Sequence, residues 1–297
     1  VKIKIDADNL VSRHVSIFGM SGSGKTVMVR RIMDELLQKK YPMVVLDIHG
    51  DYLGFIQKQK KSIEEILLDN KNRKNGFEGI YLSPGHPNVN IYLLKVFKEL
   101  VDEYDIDGIH LDYIRLHDQG YGKNPYAIAN YRKYNKRSGN LDVSTLDKYP
   151  NQQWNDFLRK SITELVRDTK DMITLSNSKI VFSAAVKPNL YEARERFYQE
   201  WDVWLVAGYL DKAFVMNYAA DLKVFAANID IMYDNLPKKY RDRIVVGIAT
   251  YNQTPEEALT KVKYTKVTRF SSVAFFSYNS LAQSKVYFQK IKNYIYK

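Results

Sequence analysis

Eight short runs of apolar residues recur along the chain, and each is continuous rather than alternating with polar residues. They are rich in β-branched and aromatic residues and occupy positions 15–19, 43–48, 79–83, 108–113, 179–186, 213–218, 243–250 and 272–278. A continuous apolar run is typical of a strand covered on both faces, as in a parallel sheet. The pattern therefore predicts eight buried parallel strands.

Between these runs, apolar residues fall at helical spacing. Such patterns begin near Val29, Val89 and Trp154, the last being the longest. Repeated strand–helix units predict an α/β fold, and eight of them suit a TIM-barrel-like (β/α)₈ architecture, complete or partial. A polar segment over residues 57–76 predicts a junction between a first part, 1–56, and a second part, 77–297.

Composition excludes few classes of function. The chain has no Cys, which excludes disulfides, thiolate metal sites and a Cys nucleophile. Its net charge of +11 allows attraction to nucleic acid, but the basic residues are scattered in short runs and are expected to form a solvated surface. No apolar run approaches about 18 residues, and the first residues lack the apolar core of a signal peptide. As it stands, the sequence predicts a cytoplasmic protein without a membrane span.

The stretch "IFGMSGSGKT" carries the clearest short motif. Gly19, Gly24, Lys25 and Thr26 satisfy G-x-x-x-x-G-K-[ST], with Gly22 added between them, and the motif lies between an apolar strand and an amphipathic helix. Glycines let backbone N–H groups surround phosphate oxygens, the lysine reaches the β and γ phosphates, and the threonine hydroxyl binds Mg²⁺. The motif predicts a Mg-ATP site, with Thr26 as the metal ligand. A Gly-rich turn without ligand is the alternative.

The next strand ends in "VVLDIHGDYLGF", with Asp47 at the start of the sequence D-I-H-G-D-Y. Together with the Gly-rich loop, this stretch resembles the HerA/FtsK-type P-loop ATPases over residues 1–56. The resemblance implies nucleotide binding, with Asp47 among the binding residues, and DNA as a partner. The chain lacks a later apolar strand ending in acidic residues, so ATP turnover and DNA translocation are not expected.

Residues from about 76 to the end resemble a different family, the glycosyl-hydrolase-like family 10 proteins. The resemblance rests on "YLSPGHPNVNIYLLKVFKELVDEYDIDGIHLDYIR", "WNDFLRKSITELV", "IVFSAAVKPN", "FYQEWDVWLVAGYLDKAFVMNY", "RIVVGIATYN" and "VAFFSYNSL", in that order. It implies a TIM barrel, glycosidase activity on a polysaccharide and no required cofactor. Members of this family are commonly exported. The first two strand–helix units of such a barrel would here be the P-loop-like ones.

In a barrel the chemistry lies at the carboxyl ends of the strands. Polar and aromatic residues follow the predicted strands there, and they are candidates for a sugar-binding mouth because they offer hydroxyl partners and stacking faces. The candidates are Asp112, Arg115, Lys187, Asn217, Tyr218, Tyr251 and Tyr278. Asp112 is the candidate catalytic carboxylate, and the others are candidate substrate-binding residues.

The stretch "DGIHLDYIR" also resembles the D-G-x-D-x-D-x-E strand of family 18 glycoside hydrolases. Ile114 stands where that motif has its catalytic Glu, and His110 stands at its middle Asp, so the chemistry of that family is not expected. His110 is expected to lie in the core or behind the site. Asp112 is either a catalytic carboxylate or a structural partner of Arg115. Asp118 and Asp221 are weak candidates for a second carboxylate.

The two resemblances leave three hypotheses open. The first is a glycoside-hydrolase-like protein that acts on or binds a polysaccharide. The second is an ATP-binding module of HerA/FtsK-type ancestry, and the third is an inactive chimera. The first strands of the barrel are missing upstream of "YLSPGHP", so either residues 1–56 replace them, or the chain closes by forming an oligomer, or the fusion is a faulty join.

Overall fold

The computed structural model describes residues 82–117, 122–136, 152–176 and 179–295. The chain divides into two compact units, 1–82 and 83–297, and every helix and strand given below belongs to the second. The predicted strands at 15–19 and 43–48 lie outside the described residues, as does most of the one at 79–83 and the predicted junction.

The second unit alternates strands and helices. In chain order the elements are α1 (Val89–Glu103), β1 (Gly108–Leu111), α2 (Pro125–Lys136), α3 (Gln152–Ser176), β2 (Val181–Val186), α4 (Leu190–Glu195), α5 (Trp201–Val206), β3 (Lys212–Val215), α6 (Leu222–Asn235), a 3₁₀ helix (Lys238–Arg243), β4 (Ile244–Ala249), α7 (Pro255–Val267), β5 (Ser272–Phe276), α8 (Tyr278–Gln283) and α9 (Lys285–Ile295).

The five strands form one sheet in the order β1-β2-β3-β4-β5, and all four pairings are parallel. Each strand therefore lies beside the next strand along the chain, as in consecutive units of a (β/α) barrel. The described residues establish an α/β fold with a five-stranded parallel sheet. Eight strands and a closed barrel stay a prediction.

The core lies between the sheet and its helices. All six residues of β4 are buried, which explains why its sequence is apolar without alternation. In α3 the residues at helical spacing, from Trp154 to Ile173, form one buried stripe. Trp201 and Trp204 of α5 are wholly buried, and burial of such side chains contributes about 1.5–3 kcal/mol each or more.

Candidate functional site

The parallel strands bring their carboxyl ends to one edge of the sheet. On β1, Ile109 and Leu111 are buried, whereas His110 and Asp112 alternate with them and lie on the opposite face. We call this opposite face the inner face. The pairing of His110 with Ser183 places Ser183 on it too.

Asp112 is exposed at the end of β1. Its Oδ1 accepts a hydrogen bond of 2.8 Å from the backbone N–H of Tyr113. Tyr113 has a φ of 63°, in the left-handed region that a tyrosine seldom adopts. This turn fixes the carboxylate at the edge of the sheet, and the charge of Asp112 acts on both His110 and Tyr218.

His110 lies two residues before Asp112 on the same face. Its Nδ1 is 2.9 Å from the Ser183 hydroxyl, and its ring meets the Phe214 ring edge-on at 5.0 Å between centroids. Desolvation lowers the pKa of His110, and the nearby carboxylate of Asp112 opposes that effect. A neutral imidazole beside a carboxylate can accept or relay a proton.

Three rings form a continuous surface at the carboxyl ends of β3, β4 and β5. Tyr218 stacks on Phe276 with centroids 5.1 Å apart and an interplanar angle of 15°. Tyr251 meets Phe276 edge-on at 6.2 Å. We call Tyr218, Tyr251 and Phe276 the aromatic platform. Phe276 and Tyr251 are 51% and 56% exposed, so the platform is open to a ligand.

Gly247 explains how the platform fits on the sheet. A Cβ at this position would lie 2.6 Å from the carbonyl oxygen of Val215 and 2.9 Å from the Tyr218 ring. Because Gly247 has no side chain, the Tyr218 ring can lie across β4 and reach Phe276 on β5. Burial, with the charge of Asp112 and the neighbouring Tyr251, raises the pKa of Tyr218 to about 12, so its hydroxyl stays a neutral donor.

Arg115 and Lys187 meet at one ring, that of Phe197. The Arg115 guanidinium carbon is 5.1 Å from its centroid and the Lys187 Nζ is 4.2 Å from it. Arg115 also stacks on Tyr113 at 4.0 Å. No ion pair joins it to Asp112 within the described ranges, so the structural pairing of those two residues is not seen there.

Two predicted site residues do not join this group. Asn217 is 1% exposed, and its amide donates to the Phe225 carbonyl and accepts from Asn228, both at 3.0 Å. The expectation that Asn217 faces a sugar is therefore wrong, because both ends of its amide serve the fold. Tyr278 begins α8 and is 73% exposed, outside the stacked rings.

Asp221, a candidate second carboxylate, caps α6. Its Oδ1 accepts from the backbone N–H groups of Lys223 and Val224 at 2.8 and 3.0 Å, and these bonds lower its pKa. An exposed capping carboxylate of this kind is explained by the helix it begins. Asp118, the other candidate, lies outside the described residues.

Two buried side chains that the sequence does not reveal hold the strand ends together. Gln199 accepts from the Lys187 backbone N–H at 2.8 Å and donates to the carbonyls of Ile114 and Ala185 at 3.1 and 3.2 Å. Lys261 donates to the carbonyls of Ala219 and Ala220 at 2.8 and 2.6 Å and to the Gln253 side chain. Each residue thus ties two neighbouring strand-end loops.

No local signal identifies these two residues. Lys261 stands in the lysine-rich sequence of α7, which reads as an exposed helix, yet it is 1% exposed. Phe197 and Phe276 also become site residues only through contacts that span many positions along the chain.

The predicted nucleotide site, at Gly19, Gly22, Gly24, Lys25, Thr26 and Asp47, lies outside the described residues. Within the described ranges, no group of three or more His, Asp or Glu residues is arranged to hold a metal ion. The same ranges contain no helix long and apolar enough to cross a membrane.

Two family models match the chain. The family described as Glycosyl hydrolase-like 10 matches residues 67–265, and the one described as Helicase HerA, central domain, matches residues 1–119. Both resemblances are thus shown, and the two matches, which overlap over residues 67–119, are consistent with a chimera.

Several curated relatives are described as helicases. A probable helicase from Methanocaldococcus jannaschii is 26% identical over 151 residues, which cover 51% of this chain and 24% of the helicase. The DNA double-strand break repair helicase HerA from Pyrococcus furiosus is 40% identical over 55 residues, 18% of this chain and 10% of that protein. The chain spans about a quarter or less of the length of these relatives.

A solved structure matches the fold. The PgaB (BpsB) glycoside hydrolase domain from Bordetella bronchiseptica superposes with a TM-score of 0.60 at 15% identity, covering 75% of this chain and 68% of that domain. The five-stranded α/β unit is therefore similar in fold to a glycoside hydrolase domain.

Proposed function

Because the chain belongs to the Glycosyl hydrolase-like 10 family, we propose that it acts on or binds a polysaccharide at the carboxyl ends of its strands. One observation carries the proposal. An exposed carboxylate, Asp112, and an open aromatic platform lie at the same edge of the sheet, because parallel strands bring their carboxyl ends together there. Aromatic rings stack on the C–H faces of sugars, and a nearby carboxylate supplies acid–base or nucleophilic chemistry.

In this proposal Asp112 is the catalytic carboxylate. Tyr218 donates a hydrogen bond to the glycan from its protonated hydroxyl. His110 lies beside Asp112 on the inner face, where its contact with the Ser183 hydroxyl keeps the imidazole in place. Glycosidases pair two carboxyl groups about 5–5.5 Å apart for retention or about 6.5–9.5 Å for inversion. Since Asp221 is engaged as a helix cap, we propose as the second carboxylate Asp118, which follows Asp112 in the sequence and lies outside the described residues.

The substitution Asp112→Asn tests the catalytic role. We expect it to reduce the release of reducing ends from cell-wall glycans by about 100-fold or more, because the amide cannot exchange the proton. The matched control is Asp107→Asn, which changes an exposed Asp at the amino end of the same strand and should leave the rate unchanged. Equal rates in Asp112→Asn and the wild type would remove Asp112 from catalysis.

The match to the helicase HerA central domain favours a second candidate function. In this alternative, the loop from Gly19 to Thr26 binds Mg-ATP, with Lys25 on the phosphates, and DNA is the partner by analogy with the repair helicase of Pyrococcus furiosus.

Mg-ATP at about 100 times its dissociation constant should stabilise the protein by about 2.7 kcal/mol and raise its melting temperature. Lys25→Ala should abolish that shift, whereas the neighbouring substitution Arg30→Ala should retain it. A melting temperature that Mg-ATP leaves unchanged would reject nucleotide binding. If the protein also neither cleaves nor binds glycans, the hypothesis of an inactive chimera is the one that remains.

A further inference from the structure

Three cations converge on the ring of Phe197 at the β1–β2 end of the site. Besides Arg115 and Lys187, the guanidinium of Arg196 lies 5.1 Å from the Phe197 centroid. We call Arg115, Lys187 and Arg196 the cationic cluster. These three positive charges surround one buried ring, and Glu192 offsets part of them through its ion pair with Arg196.

Arg115 is the member best placed to bind a ligand. Its guanidinium carbon lies 4.0 Å from the Tyr113 centroid and 5.1 Å from the Phe197 centroid, which restricts its movement, and one Nη donates to the Leu116 carbonyl at 3.3 Å. Its Nε is buried and has no hydrogen-bond partner within the described ranges. A guanidinium restrained by neighbouring rings loses little freedom when its Nη groups bind an oxyanion.

Carboxylates on the adjoining helices are held by other partners. Glu195 approaches Arg159 at 3.5 Å, and Glu200 lies 3.3 Å from Arg194. Glu192 pairs with Arg196 at 2.9 Å. In the described part of the chain, no ion pair between these glutamates and Arg115 is found, so its guanidinium can receive an anion that does not belong to these helices.

We propose that the cationic cluster is a subsite for a negatively charged substituent of the glycan, a carboxylate or a sulfate. The inference rests on the proposed polysaccharide function and specifies its substrate class as an acidic polysaccharide. The strand order places the cluster at β1 and β2 and the aromatic platform at β3 to β5. A glycan lying along this edge would stack one sugar on the platform and present the charge of another to Arg115.

The test compares ligands that differ only in charge. Binding of polygalacturonate oligosaccharides to the full chain is measured by titration calorimetry beside the same oligosaccharides as methyl esters, and dextran sulfate beside dextran. We expect the anionic member of at least one pair to bind about tenfold more tightly. Arg115→Gln should remove that preference, so that the charged and neutral members of the pair bind with similar affinity.

The control is Lys239→Gln. Lys239 is an exposed cation 4.9 Å above the Tyr240 ring, on the 3₁₀ helix at the amino end of β4, so its loss changes net charge equally but away from the site. If Arg115→Gln lowers the melting temperature sharply, Lys187→Met provides the same comparison. Equal losses in Lys239→Gln and Arg115→Gln would overturn the subsite, since only net charge would then matter.

The remaining outcomes separate the two proposals. Neutral and anionic glycans that bind equally would overturn the anionic subsite and leave the polysaccharide function in place. If no glycan binds, both proposals fail. If a single-stranded DNA oligonucleotide binds and Arg115→Gln abolishes that binding while glycans do not bind, the cluster belongs to a nucleic-acid surface, and the assignment to a glycan is wrong.

Discussion

Lys261 is a buried cation surrounded by neutral acceptors. Burial lowers its pKa, and its ammonium holds the carbonyls of Ala219 and Ala220 beside Gln253. We expect Lys261→Met to destabilise the protein by about 1–3 kcal/mol, because buried acceptors lose their donor. Chemical denaturation measures the change.

The control for this substitution is Lys263→Met, which removes an exposed lysine from the same helix and should change stability by less than about 0.5 kcal/mol. Because Lys261 supports the loops that carry Tyr218 and Tyr251, its loss should also weaken glycan binding. Unchanged stability in Lys261→Met would show that water or neighbouring groups satisfy the carbonyls equally well.

His86 should make stability depend on pH. It is 4% exposed, its Nδ1 accepts from the Asn88 backbone N–H at 3.1 Å, and its Nε2 has no partner in the described part of the chain. Burial lowers the pKa of His86 below its usual value of 6.5. The unfolded chain therefore binds more protons than the folded one below about pH 6.5, and stability should fall as the pH drops from 7 towards 5.

A single histidine contributes at most about 1.4 kcal/mol per pH unit to this loss. His86→Asn keeps an acceptor for Asn88 and removes the titration, so its unfolding free energy should vary less over the same range. His110 has a lowered pKa as well, and the slope it contributes should persist in the variant. Parallel curves for the wild type and His86→Asn would contradict the assignment.

At the scale of elements, the aromatic platform depends on the close approach of three strands. We expect Gly247→Ala to destabilise the sheet by about 1–3 kcal/mol, because the added methyl meets the Val215 carbonyl and the Tyr218 ring. It should also weaken glycan binding by displacing Tyr218. Melting temperature and binding affinity measure the two effects, and a variant that keeps both would show that the ring shifts without consequence.

The strands of the second unit could be predicted from the sequence because burial on both faces leaves a continuous apolar run. All five predictions from 108–113 onward are confirmed, including their parallel arrangement. Four of the predicted carboxyl ends extend too far, whereas the run at 179–186 ends at Val186 as predicted. The run at 213–218 ends as a strand at Val215. The Met216 N–H still donates to the Val186 carbonyl of β2, and Asn217 and Tyr218 then turn into the loop.

The candidate site could be predicted only in part. Asp112, Tyr218 and Tyr251 could be predicted because each follows a predicted strand, and the residues that follow parallel strands form the site in a barrel. This rule cannot select Phe276, which reaches Tyr218 only through the register of β3, β4 and β5. It also misplaces Asn217, because its hydrogen bonds to α6 depend on tertiary packing.

At the scale of the whole molecule, the sheet should differ in stability from its middle to its end. All six residues of β4 are buried, whereas none of the residues of β5 is, and β5 ends the described sheet. We expect the amides of β5 to exchange with solvent faster than those of β4, as hydrogen exchange followed by mass spectrometry can measure. Equal protection would contradict the position of β5 at an open edge.

The two ties made by Gln199 and Lys261 divide the ligand-facing edge into two halves. Gln199 joins the loops after β1 and β2, which carry the cationic cluster, and Lys261 joins those after β3 and β4, which carry the platform. We therefore expect a substitution in one half to perturb that half more than the other. In evolution, we expect the residues that select the charge of a ligand to change while the residues that stack on sugar rings stay the same.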